Sequence, residues 1–219
     1  MKKSLLAGAS LAAAVASVAS AGFTGWSVDR SVNSAGNVVY KVYANFDANN
    51  FVFLNVFNFA QQSGNMNAFH SGTGAGTWVP QGTSTATHVG NDSWVSSTGT
   101  HVGSQVALDP SFVEFDSYGE PIAGVDAQIP NGAGWYDATP GTQNAISQSN
   151  GSGGFRMQLM QIVRLAADDS VATQYLKIGF KVTNTTTALF GEGTFTIGVP
   201  APGALALLGV AGLAGRRRR

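Results

Sequence analysis

Four carboxylates crowd the stretch "DPSFVEFDSYGEP": Asp109, Glu114, Asp116 and Glu120. If "FVEFD" is extended, Glu114 and Asp116 share a face about 7 Å apart, two rises of about 3.4 Å each. Two chemistries fit that spacing. A cluster of carboxylate oxygens suits Ca2+, a hard cation that takes several oxygen ligands. A pair of carboxyl groups roughly 5–9 Å apart also suits glycoside hydrolysis, one acting as acid and the other as nucleophile or base. The plain alternative is a solvated acidic loop. Ca2+ is the one cofactor these residues suggest, and spacing alone assigns no catalytic role.

The other reactive side chains are sparse. His70, His88 and His101 sit among Gly, Ser and Thr, without the close His pair of a zinc site. His88 and His101 lie in two copies of "THVG", which could face each other across a hairpin. The chain has no cysteine, which excludes thiolate-bound zinc, redox dithiols and a cysteine nucleophile within it. No nucleophile elbow, phosphate-binding loop or dinucleotide fingerprint occurs. Trp26, Trp78, Trp94 and Trp135 could form a sugar-stacking platform, or could simply pack in a core.

The elements that must position these residues read as strands. "YLKIGFKV" places Leu176, Ile178, Phe180 and Val182 on one face, with Tyr175, Lys177, Gly179 and Lys181 on the other. "GTFTIGV" continues the pattern through Phe195, Ile197 and Val199. Val38 to Phe46 and Phe51 to Phe59 are rich in aromatic and β-branched residues, with "DANN" as a turn between them. "GFRMQLMQIVRL", Gly154 to Leu165, fits either period, and a strand with a bulge suits it better than a helix. No βαβ rhythm is present. The expected class is all-β: a single antiparallel β-sandwich over residues 22–199, jelly-roll-like or immunoglobulin-like.

The two ends of the chain differ from this body. Lys2 and Lys3 precede an apolar stretch, Leu5 to Val18, followed by Ala19-Ser20-Ala21. A basic start, a short apolar middle and small residues at the cleavage positions describe a signal helix over residues 1–21, with Gly22 as the new N-terminus. At the other end, Ala201 to Gly215 is apolar or small throughout and Arg216, Arg217, Arg218 and Arg219 follow. As a helix that stretch reaches about 22 Å, against a hydrocarbon core of about 30 Å. Arginines that snorkel to the cytoplasmic face extend that reach. Pro200 and Pro202 keep Val199 to Ala201 extended.

These six end residues matter to the charge. The whole chain has twelve basic and twelve acidic side chains. Without Lys2, Lys3 and the four terminal arginines, six basic residues face all twelve acids, a net charge of −6. That balance disfavours a nucleic-acid partner, because a phosphate backbone needs a positive face.

The tail, residues 200–219 with Val199 before them, resembles the PEP-CTERM sorting signal of Gram-negative bacteria. The matching residues are Val199-Pro200-Ala201-Pro202, the apolar run from Gly203, and Arg216 to Arg219. The usual motif is Pro-Glu-Pro, and Ala201 stands at the glutamate position. The resemblance implies signal peptidase and an exosortase as partners during export, transient membrane insertion through the tail, and removal of the tail at the cell surface. It does not extend to the body. Together the readings give an expectation: a secreted or cell-surface, non-enzymatic protein with a structural or adhesive role in exopolysaccharide. A carbohydrate-binding module and a secreted hydrolase are the rivals. A simple C-terminal anchor and a basic polyanion-binding tail are the rival readings of the last twenty residues.

Overall fold

The computed structural model describes residues 22–70, 78, 90–97, 106–108, 124–137 and 146–199, without the side chains of 70 and 124–127. The two expected terminal helices lie outside this range. Twelve strands occur among the described residues: β1 (Phe23–Val32), β2 (Val38–Phe46), β3 (Phe51–Ser63), β4 (Ala68–His70), β5 (Trp94–Val95), β6 (Val106–Leu108), β7 (Gly124–Ala127), β8 (Trp135–Asp137), β9 (Gln148–Ser149), β10 (Phe155–Arg164), β11 (Ala172–Val182) and β12 (Ala188–Ile197). They pair antiparallel into two main sheets. One has the order β1-β2-β10-β5, with β9 also on β10; the other runs β12-β11-β3-β8-β6; β4 and β7 form a small ribbon. The fold is an all-β, sandwich-like arrangement, as the strand pattern predicts.

Alternation along the strands builds the interior. In β2, Val38, Tyr40, Val42, Ala44 and Phe46 are buried, whereas Lys41, Tyr43 and Asn45 are only half-buried. In β11, Leu176, Ile178 and Phe180 are buried while Tyr175, Lys177 and Lys181 reach solvent. The ambiguous "GFRMQLMQIVRL" is strand β10, and its register against β2 shifts between Gln158 and Met160. Leu159 is the extra residue, so a single bulge reconciles the two periods seen in the sequence. Beyond the bulge, Met160, Ile162 and Arg164 align with the buried Val42, Tyr40 and Val38.

The "DANN" turn does not close a hairpin. It carries the chain from β2 in one sheet to β3 in the other, because β2 pairs with β1 and β10. Asp47 N–H donates to the Gly22 carbonyl at 3.0 Å, which ties the start of β1 to this corner. Above the corner four rings interlock: Phe180 lies 5.1 Å from Phe46, 5.4 Å from Phe51 and 6.5 Å from Phe23, centroid to centroid. The Phe46 and Phe51 rings meet Phe180 edge-to-face, which adds to the area they bury.

The sandwich has two ends. Gly22, the Asp47–Asn50 corner and the turn after β11 lie at the first, where Thr183 N–H donates to the Asn50 carbonyl at 2.7 Å. The β1–β2 turn, the link from β10 to β11 with its 3-10 turn Ala166–Asp168, and the end of β12 lie at the second. The described chain therefore starts at one end and leaves at the other.

Candidate functional site

The point where β12 leaves the sandwich is a built junction. Gly198 has φ +88°, and a Cβ there would lie 2.0 Å from the Ser170 carbonyl oxygen, so glycine alone fits. This turn breaks the alternation of "GTFTIGV". Phe195 and Ile197 are buried as expected, but Val199 is 45 % exposed rather than on their face. The Val199 N–H donates to the Asp169 carbonyl at 3.2 Å.

The Asp169 side chain is the hub beneath that contact. Arg30 Nη2 lies 3.0 Å from Oδ2, the Tyr40 hydroxyl donates to Oδ1, and Arg164 Nη1 stands 3.7 Å from Oδ1. The Arg164 side chain is fully buried. It also donates to the Ser170 carbonyl at 2.6 Å and to the Asn65 carbonyl at 3.3 Å, while its Nε has no hydrogen-bond partner among the described residues. Arg164 reaches this place because the bulge in β10 turns it onto the inner face, one step past Ile162. Burial lowers the pKa of Arg164, and the Asp169 charge opposes that shift. The same desolvation, with the hydrogen bond to Asp169 behind it, pushes the Tyr40 hydroxyl up to about 12. Arg30 is raised by its bonds to Tyr40 and Asp169.

The Tyr40 shift sets an alkaline limit. Its folded pKa lies above the ordinary value of 10.0, so its contribution to stability is whole below pH 10 and is lost as pH rises through about 12. An ultraviolet titration is expected to show Tyr40 as the late phase, behind Tyr43 and Tyr175, which burial raises by less. Stability should fall over that same window, and Tyr40→Phe should remove the late phase. Ionisation of every tyrosine near 10 contradicts the cluster.

A second feature is the outer face of the β12-β11-β3-β8 sheet. One cross-strand row holds Phe190, Gly179, Asn55 and Tyr136. Phe190 is 55 % and Tyr136 49 % exposed. Gly179 makes room for its neighbours in the row: a Cβ there would lie 2.1 Å from Asn55 Oδ1 and 3.5 Å from the Phe190 ring. Phe57 meets Phe190 edge-on at 6.0 Å. In the next row Glu192 accepts from Lys177 Nζ at 2.6 Å and from the Tyr175 hydroxyl at 2.8 Å. Those two partners hold Glu192 below its usual range, and Glu192 in turn raises Lys177. Exposed ring faces beside fixed polar groups can stack on and hydrogen-bond a polyhydroxylated ligand.

The sequence-derived candidates fare unevenly. Trp78, Trp94 and Trp135 are buried and Trp26 is half-buried. Trp135 Nε1–H donates to the Ser96 carbonyl at 3.2 Å. No tryptophan platform is formed; these rings fill the interior because only there is their area removed from water. Asp109, Glu114, Asp116 and Glu120 lie outside the described residues, as do His88, His101, Ala19, Ala21, Pro200, Ala201, Pro202, Gly203 and Arg216 to Arg219. His70 belongs to β4, without a described side chain. Gly22 is buried, with φ +104°. Among the described residues no three His, Cys, Asp or Glu side chains are grouped to hold a metal ion, and no helix is long and apolar enough to cross a membrane.

Sequence reasoning missed the Arg30–Tyr40–Asp169–Arg164 cluster. Its members span 139 positions between Arg30 and Asp169. One signal was present: an arginine at the end of the apolar run "MQLMQIVR". Searches against protein-family models, curated proteins and solved structures found no match to this chain.

Proposed function

We propose that this chain is an exported, non-enzymatic protein, delivered to the cell surface or extracellular matrix through its C-terminal tail by an exosortase-type system. Its β-sandwich is the cargo, with a structural or adhesive role. The observation that supports the reading is where the described strands start and stop. β1 begins at Phe23, two residues beyond Ala21, and β12 ends at Ile197, three residues before Pro200. The Gly198–Val199 junction then hands an exposed residue to the motif, and Pro200 behind it biases that residue toward extended backbone. A processing enzyme can bind such a strip without unfolding the sandwich.

Mass spectrometry of the protein from its native host tests this. Mature termini near Gly22 and near Pro200 are expected. A mature secreted form that keeps Arg219 overturns the sorting account. Carbohydrate binding is the second reading. Its support is the row of Phe190, Gly179, Asn55 and Tyr136 on the sheet face, in place of the buried tryptophans.

A further inference from the structure

The described residues expose six large hydrophobic side chains: Val32, Tyr136, Ile146, Val171, Phe190 and Val199. They fall into two groups. Tyr136, Ile146 and Phe190 lie along the sheet that contains β3, β8 and β12, with Ile146 bridging to Val52 of β3. The valines are different. Val32 ends β1, Val171 directly precedes β11 and Val199 follows β12, so all three lie at the second end of the sandwich.

The contacts there set Val171 against the Gly198–Val199 turn and tie the β1 strand to the same link. A Cβ on Gly198 would lie 2.9 Å from the Val171 Cα, which sets Val171 against the neck of the tail. Val199 hangs from the Asp169 carbonyl, and Asp169 is held by Arg30, two residues before Val32. The valines are 58 %, 39 % and 45 % exposed. A soluble domain ordinarily scatters its exposed apolar residues, and a cluster marks a contact surface.

We infer that this end of the sandwich rests on a lipid surface, with Val32, Val171 and Val199 entering the interface around the root of the tail. The chain length from the domain to its apolar run makes the case. Only Pro200 separates Val199 from Ala201, where that run begins. Two residues reach at most about 7 Å, at about 3.3–3.6 Å each. A tail seated in a bilayer therefore brings this end of the body into the headgroup layer. An apolar face entering about 5–10 Å is the usual geometry for interfacial contact. The first end, where the chain begins, points away from the membrane and presents the Asp47–Asn50 and Thr183–Thr187 turns.

The inference rests on the tail's inserting as proposed above, and one experiment separates the two. The chain has no cysteine, so single substitutions give unique labels. Val32→Cys, Val171→Cys, Asn49→Cys, Thr186→Cys and Leu207→Cys are each coupled to an environment-sensitive fluorophore. The full chain is reconstituted in vesicles of phosphatidylcholine and phosphatidylglycerol and its leader is removed with signal peptidase. Quenching by lipids spin-labelled near the headgroup is then measured. The labels at 32 and 171 are expected to be quenched more than those at 49 and 186, by a factor of about two or more, as shallow penetration dictates. The label at 207 is expected to be quenched by deeper spin labels. A quenched label at 207 with equal quenching at the two ends overturns the membrane-facing end and leaves the tail reading standing. No quenching at 207 overturns both.

Discussion

Asp169→Ala is expected to destabilise the protein by about 3–5 kcal/mol, the cost of leaving a buried charge without its partner. The charge left behind is Arg164, whose side chain has no exposure. Its remaining partners, the Ser170 and Asn65 carbonyls and the Ser170 hydroxyl, accept hydrogen bonds but carry no formal charge. The Tyr40 hydroxyl loses its acceptor in the same step. Arg30 contributes little to the total, because its side chain is 43 % exposed and water can replace Asp169. Asp169→Asn keeps the shape and one acceptor, so a smaller loss is expected. Arg30→Ala should cost under about 1 kcal/mol, the range of exposed ion pairs. Urea denaturation of the three variants measures this ordering. Equal stabilities for Asp169→Ala and Arg30→Ala would show that Arg164 does not depend on Asp169. The main-chain carbonyl of residue 169 survives the substitution, but with its side-chain anchors gone the backbone there should loosen, so the Val199 amide that donates to it should exchange faster.

Phe180→Ala is expected to cost about 3–5 kcal/mol, as large-to-small changes in a filled core do. For a domain of this size that lowers Tm by roughly 6–20 °C. Phe180 is fully buried and meets the rings of Phe23, Phe46 and Phe51, which come from β1, β2 and β3. Removing it empties the place where the two sheets close over the Asp47–Asn50 corner. Phe190→Ala, on the neighbouring strand β12, is the control. Phe190 is 55 % exposed and touches Phe57 only at its edge, so its loss should stay within about 1 kcal/mol. Calorimetry of both variants decides the matter. Similar Tm values for the two would mean that the ring cluster does not hold the sheets together.

Several parts of the fold were legible before any coordinates. The alternation in Tyr175 to Val182 named the buried face of β11 because a pleated strand turns successive side chains to opposite faces. The mixed period of Phe155 to Arg164 named a bulged strand for the same reason: one inserted residue shifts the phase without ending the pairing. The tryptophans were ambiguous, since an aromatic ring serves a binding face or a core equally well. Burial of Trp78, Trp94 and Trp135 resolves that choice for the core.

What lay beyond the sequence depended on pairings between distant segments. "DANN" reads as a turn, yet nothing local says that it joins two sheets instead of two neighbours in one sheet. That depends on β10 taking the place beside β2, more than a hundred residues later. Val199 continues an alternating pattern, and only the close approach of Ser170 to Gly198 turns it outward.

By itself, then, the order of residues determined the strand periods, the all-β class, the acidic body and the unlike composition of the two ends, because each is a property of near neighbours or of plain counting. Tertiary structure alone decided that Arg30, Tyr40, Arg164 and Asp169 meet, that the chain enters at one end of the sandwich and departs at the other, and that three valines gather at the departure. The physical reason is range. Side-chain alternation is set within a few bonds, whereas a buried ion cluster or an exposed patch exists only once segments far apart in the chain have been packed against each other.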